Sequence, residues 1–149
     1  MIKNKNKKPT GNVVISTFQI GDAVLGINIL DVQEINKEFE ITKVPKSSDH
    51  IAGVMNLRGR IVTVLNTDKI LGLSNARNDK GNRIIIVDSK GEYIGLIADS
   101  IGDVVPADDS VIELPPSNMG HIKGKFFQGV LKNKGLLIGI LNIEEVLGG

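Results

Sequence analysis

Gly59-Arg-Ile-Val-Thr-Val-Leu-Asn66, followed by Thr67-Asp-Lys-Ile-Leu-Gly72, returns near the end of the chain as Gly135-Leu-Leu-Ile-Gly-Ile-Leu-Asn142, followed by Ile143-Glu-Glu-Val-Leu-Gly148. Glycine, apolar run, asparagine and closing Leu-Gly keep the same spacing in both. Upstream, Ile51-Ala-Gly53 faces Ile122-Lys-Gly124, Pro45 faces Pro115, and Gly26-Ile27 faces Gly95-Leu96. A duplicated unit constrains the architecture before any single element is assigned. It also exposes where the copies differ. Asn56-Leu57-Arg58-Gly59 has no charged-and-amide equivalent before Lys134-Gly135.

Residues 13–20 read as a strand, Gly21-Asp22 as a two-residue hairpin turn, and 23–29 as the partner strand. Ile29, Val32 and Ile35 then recur at three-residue spacing, which predicts a short helical turn. Residues 38–44 are extended up to Pro45, and Ser47-Ser48-Asp49 offers turn or capping chemistry. A hairpin follows over 51–57 and 60–66 around Arg58-Gly59, then a short helix capped by Asn66 or Thr67 and ended by Gly72. The polar stretch 74–82 connects the copies. The second copy repeats the programme: strands over 83–88 and 92–98, a helical turn over 99–104 with Ile101 and Val104 in place of Val32 and Ile35, an extended piece over 111–114, a hairpin over 126–131 and 136–141, and a short helix over 142–147.

Each half thus holds about five strands, and many short strands at even spacing predict an all-β barrel or sandwich. Closure removes the free edges of a small sheet. The expected fold is therefore two small five-stranded β-barrels with short helical turns, over about 13–73 and 83–149, with exchange of terminal strands between them allowed. Each is marginal in size alone, so they should pack together and leave a groove at their junction.

Composition agrees. Hydrophobic residues make up 41% of 149, but aromatics only 3%, so Val, Ile and Leu must fill the interior, which favours strands. A net charge of +1 gives no field for nucleic acid or an anionic membrane. The absence of cysteine excludes disulfides, thiolate metal sites and a cysteine nucleophile. Residues 1–12 carry Lys3, Lys5, Lys7 and Lys8 without an apolar stretch behind them, so they read as a disordered basic tail and not a secretory signal. No apolar run approaches the roughly 20 residues that span a bilayer.

Catalytic signals are weak. His50 and His121 take matching places in the two copies, which suggests a shared structural role, and no ligand spacing supports a metal. Asp108-Asp109 and Glu144-Glu145 are neighbours in sequence, so their side chains diverge instead of converging on one site. Lys90-Gly91 and Lys134-Gly135 are hairpin turns, not a phosphate loop. Glu34 and Arg58 are either solvated surface charges or, with their apolar neighbours, part of a protein-binding patch. A nucleic-acid-binding barrel is the alternative among binding modules, and it would need a basic face with exposed aromatics.

The run Ile51-Ala-Gly-Val-Met-Asn-Leu-Arg-Gly-Arg-Ile-Val-Thr-Val-Leu-Asn66 resembles the signature of the CheW family, the coupling proteins of bacterial chemotaxis. Val32-Gln-Glu-Ile35, Ile41-Thr-Lys-Val-Pro45 and Tyr93-Ile-Gly-Leu-Ile-Ala-Asp99 match further segments, so the likeness runs from about 13 to 148. It implies two intertwined SH3-like barrels, no catalysis and no cofactor. It implies a cytoplasmic adaptor, recruited to membrane receptor arrays without inserting in the bilayer. Its partners would be the cytoplasmic tip of methyl-accepting receptors and the regulatory domain of the histidine kinase CheA. By resemblance, Val32, Glu34, Ile35, Asn56 and Arg58 serve receptor binding, Ile101 and Val104 line the groove from the second barrel, and Gly53 and Gly59 are structural. Thr63 and Asn66-Thr67 depart from the proline and Asp-Leu that many members carry there. Ending at Gly149, the sequence is expected to lack the receiver domain of CheV and the kinase core and phosphotransfer domains of CheA.

Overall fold

The computed structural model describes residues 12–37, 39–73 and 81–148. The basic segment 1–11 and most of the connection 74–82 lie outside them, and Asn12 already belongs to the first strand.

The strands are β1 (Asn12–Ile20), β2 (Ala23–Asn28), β3 (Val32–Asn36), β4 (Ile51–Leu57), β5 (Arg60–Leu65), β6 (Arg83–Ser89), β7 (Glu92–Ala98), β8 (Ser100–Asp108), β9 (Asn118–Met119), β10 (Ile122–Lys123), β11 (Phe127–Asn133) and β12 (Leu136–Leu141). Two short helices, α1 (Thr67–Ile70) and α2 (Ile143–Gly148), close the copies. One five-stranded sheet has the order β11-β12-β2-β1-β8, the other β3-β6-β7-β5-β4, and β9 and β10 form a small ribbon.

Neither sheet coincides with one copy of the repeat. The first hairpin of each copy sits in the sheet of the other. The β1–β2 hairpin lies beside β12, pairing in parallel at Gly139 with Leu25 and Ile140 with Gly26. Reciprocally, the β6–β7 hairpin lies beside β5, with Val64 opposite Gly95. The repeated glycines mark these crossings. A Cβ on Gly26 would lie 2.5 Å from Ile15 Cγ2, and one on Gly95 2.9 Å from Ile84 Cγ2.

The expected closed barrels are instead two open sheets. Among the described residues the end strands β3 and β4 do not pair with each other, nor do β11 and β8. Two of the four edges are covered another way. Thr42 exchanges two 2.8 Å backbone bonds with Val54 on the outer side of β4, and Glu113 exchanges bonds of 2.9 and 2.8 Å with Val130 on β11. A single bridge satisfies edge groups there without full closure.

The expected helical turns over Ile29–Ile35 and 99–104 are also corrected. Only Ile29–Asp31 forms a 3-10 turn; Val32, Glu34 and Ile35 lie on β3, and Ile101 and Val104 on β8. The three-residue spacing belongs to β-bulges. On β3 the register slips between Val32 and Glu34, so Val32 faces Val87 and Ile35 faces Ile85. On β8 it slips so that Ile101 faces Phe18 and Val104 faces Ser16. One extra residue in a strand puts positions i and i+3 on the same face, as a helical turn would.

Three cores follow from period-two alternation on strands buried on both faces. Ile85 and Val87 of β6 turn to a core shared between the sheets, with Phe18, Leu25, Ile27 and Leu96. Ile84 and Ile86 turn the other way, to Leu57, Val62 and Val64 inside the second sheet. Ile15, Leu131, Ile138 and Ile140 form the counterpart inside the first. The repeated asparagines tie the hairpins to what precedes them. Asn66 donates its backbone N–H to His50 O at 2.8 Å and its side-chain amide to Asp49 O at 2.9 Å. Asn142 donates to Phe126 O at 2.7 Å and caps α2 by accepting from Glu145 N at 3.3 Å.

Candidate functional site

Arg58 sits in a tight turn with Gly59, at φ 52° and 83°. Positive φ at both central residues defines the hairpin turn whose twist matches antiparallel strands. Lys90-Gly91 (53°, 85°) and Lys134-Gly135 (52°, 79°) repeat it. Asn56 Oδ1 holds the Arg58 turn by accepting from Gly59 N at 2.8 Å, as Asp88 Oδ1 does from Gly91 N at 2.8 Å. The position three residues before Gly135 is Lys132, which cannot accept such a bond. The side chain of Asn56 is therefore committed to the turn that presents Arg58.

From that turn the guanidinium reaches Glu34 on β3. Arg58 Nη2 pairs with Glu34 Oε2, and Nη1 lies 3.4 Å from Oε1. This two-pronged arrangement suits a planar fork against a carboxylate. Arg58 remains 73% exposed and Glu34 26%. The hydrogen bonds it donates to Glu34, and then the Glu34 charge, raise the guanidinium pKa above its ordinary value. A second tie runs beside the first. Arg60 stacks over the Tyr93 ring at 3.7 Å, and Tyr93 Oη donates to Gln33 Oε1 at 3.2 Å. Arg60 Nη2 also donates to Gly91 O at 3.1 Å. Gln33, Arg60 and Tyr93 lie in segments that match the family but were not among the expected site residues; Tyr93 is the lone tyrosine of an aromatic-poor chain.

Bulge registers set which face each apolar candidate takes on its own strand. Val32 and Ile35 share the face of β3 that looks toward the shared core, because their partners Val87 and Ile85 belong to it. Ile101 shares the corresponding face of β8 with Val104, since Ile101 faces the core residue Phe18 and Val104 faces Ser16 two positions away. Val32 and Ile101 pack against that core, while Ile35 is 39% and Val104 54% exposed. The core shared by the sheets is thus flanked by Val32 from β3 and Ile101 from β8. Glu34 points to the opposite face of β3, where its partner is Ile86 of the second sheet's own core.

Gly53 has φ 151°, and a Cβ there would collide with Thr42 O and stand 2.6 Å from Ile41 Cγ2. It lets the segment carrying Thr42 pair with β4. Gly59 has open space around it, so only its φ of 83° requires glycine. Among the described residues no three His, Cys, Asp or Glu side chains converge as a metal site would need.

Residues 15–149 match the family described as CheW-like domain. The chain belongs to the CheW-like family. The chemotaxis protein CheW of Thermotoga maritima is 32% identical over 133 residues, covering 89% of this chain and 86% of the relative. Protein FrzA of Myxococcus xanthus is 29% identical over 135 residues, covering 87% and 82%. The crystal structure of the scaffolding protein TtCheW from Thermoanaerobacter tengcongensis superposes with a TM-score of 0.83 at 35% identity, covering 89% of this chain and 90% of that one. As a CheW-like protein the chain is a coupling adaptor of chemotaxis signalling, and its interactions are with chemotaxis proteins. No helix among its described residues is long and apolar enough to cross a membrane.

Proposed function

We propose that this CheW-like chain couples methyl-accepting chemotaxis receptors to the histidine kinase CheA by binding both, without catalysing a reaction, in the cytoplasm at receptor arrays. The observation that carries this reading is the Arg58–Glu34 pair, which fixes a cation at the open end of the second sheet, on the strand whose other face carries Val32 and Ile35. Exposed apolar residues and a fixed charge on neighbouring faces of one strand suit a protein partner such as an amphipathic helical receptor tip. The two sheets, each curled about its own core, act as the two barrel-like lobes of the adaptor. Ile61 and Leu137 hold equivalent places in the copies and are 66% and 43% exposed. They suit end-to-end pairing with a kinase regulatory domain of similar build. Occupying both surfaces at once fixes kinase and receptor relative to each other and raises their effective concentration.

The test is co-sedimentation of CheA with receptor cytoplasmic fragments, with and without this chain. Kinase should pellet and become active only when the chain is present. Equal recruitment and activation by a folded Arg58→Glu protein would overturn the receptor assignment.

A further inference from the structure

Arg58 and Arg60 both stand at the hairpin end of β4 and β5, in different surroundings. The Arg58 charge is shared with the Glu34 carboxylate. Arg60 has no carboxylate partner among the described residues; its contacts are the Tyr93 ring at 3.7 Å and the Gly91 carbonyl at 3.1 Å. Neither contact neutralises a guanidinium. Tyr93 is itself held by donating its hydroxyl to Gln33 Oε1 at 3.2 Å. Arg60 and Gln33 are exposed, and Tyr93 is half-buried against the second sheet's own core. The ring fixes the plane of the guanidinium and the carbonyl takes one of its N–H donors, so the rest of the fork stays available. Gln33 adds amide N–H donors at the hydroxyl end of the same ring. A surface contact between cation and ring adds little to folding. A cation that is held still, unpaired and exposed lowers the ordering cost of meeting an anion.

We propose that Arg60, positioned by Tyr93 and Gln33, receives a carboxylate side chain of the receptor tip. This rests on the receptor reading given above. Gln33 carries the inference to that partner: it lies on β3 between Val32 and Glu34, so the platform is continuous with the strand assigned to the receptor. The chemistry selects an acid, because a planar cationic fork with amide donors nearby matches a carboxylate in charge and in shape. An apolar or basic side chain there would desolvate the guanidinium and supply no counter-charge. Arg60 then contributes association rate and orientation, and the exposed apolar residues contribute contact area.

Surface plasmon resonance of the full chain on immobilised receptor fragment, between about 50 and about 500 mM salt, tests this. Arg60→Gln should slow association about threefold or more at low salt and flatten its salt dependence. Arg60→Lys keeps the charge but not the fork, so it should keep the salt dependence and dissociate about threefold faster. Tyr93→Leu keeps an apolar side chain against the core but frees the guanidinium; association should be unchanged and dissociation faster. A contact that only braces the sheet would lower the melting temperature and leave the salt dependence as it is. Single acid-to-amide changes along the receptor fragment locate the partner group. One of them should weaken the wild-type chain about tenfold and weaken Arg60→Gln no further. The inference is overturned if folded Arg60→Gln keeps the wild-type rates and salt dependence, if no acidic position couples to Arg60, or if the loss appears with the kinase and not with the receptor. Arg58→Glu separates it from the reading beneath it. Lost receptor binding there, with Arg60→Gln unaffected, removes Arg60 and leaves the receptor assignment standing. No receptor binding by the wild-type chain removes both.

Discussion

Arg58 and Glu34, 24 residues apart in sequence, join the two ends of one sheet. Glu34 is on β3, the first strand of the order β3-β6-β7-β5-β4, and Arg58 is at the tip of the hairpin formed by its last two. The backbone leaves this sheet open, and a side-chain fork spans the gap. Arg60, Tyr93 and Gln33 make a second crossing between the same elements. Both lie on the surface, where ion pairs add little to folding. The arrangement holds a cation in a fixed place, and that is the property a partner can read.

Reversing Arg58 to Glu should weaken receptor-fragment binding by about tenfold or more, the scale of an interface anchor. Cooperative thermal unfolding should be retained, because Arg58 is exposed and its turn geometry suits Glu no worse than Lys. The swapped double variant Arg58→Glu/Glu34→Arg separates two roles. If the pair only braces the sheet, the swap restores binding. If the cation itself contacts the partner, binding stays low. Surface plasmon resonance against the receptor fragment reads both, and wild-type affinity in the single variant would remove Arg58 from the interface.

Ile35→Asp and Val104→Asp should each reduce receptor binding at least about tenfold with little loss of stability. Both side chains are substantially exposed, at 39% and 54%. Val32→Asp is the contrasting case, because Val32 packs against the shared core and a charge there should also lower the melting temperature. Unchanged binding by both folded exposed variants would move the partner away from the junction.

The repeat, the hairpins and the Arg58–Gly59 turn were legible because each is written locally, in glycine placement and period-two alternation. Which hairpins are exchanged was not: the repeat allowed terminal strands to swap without naming β1–β2 and β6–β7, and intertwining entered through the resemblance. The exchange rests on the parallel pairings of Gly26 and Gly95 with distant strands, and no local pattern specifies a partner. Val32 and Ile35 were read on a helical turn because a bulge and a helix leave the same three-residue mark. Val32 and Ile35 lie on the strand that carries Glu34, and the reason they share a face lies in the register with β6. Tyr93 and Arg60 escaped because, although both lie in segments that match the family, nothing local pairs them; the parallel pairing of β5 with β7 brings them together.

The two structural glycines should fail to different degrees. Gly59→Ala meets open space and strains only a positive φ, which costs about 1 kcal/mol. Gly53→Ala adds a collision with the Thr42 carbonyl to its φ of 151°, and should cost about 3 kcal/mol or more. Urea denaturation of the two variants should show this order. Equal midpoints would mean that the Thr42 segment yields easily.

Asp31, on the 3-10 turn before β3, has its pKa raised above 3.8 by partial desolvation first and by the charge of Asp88 second. A carboxyl whose folded pKa is raised binds its proton more tightly in the native state. Its stabilising contribution is complete below the unfolded pKa and is lost as pH rises through the folded value. At neutral pH ionised Asp31 is therefore a small liability. Asp31→Asn should raise the melting temperature at pH 7 by about 1–2 °C, since solvent screening holds the gain near roughly 0.5 kcal/mol. Near pH 3, where wild-type Asp31 is already neutral, the two proteins should melt together. Added salt at pH 7 should shrink the part due to Asp88 and leave the desolvation part. A gain that is the same at pH 3 and pH 7 would assign the effect to the local propensity of Asn instead of to the charge.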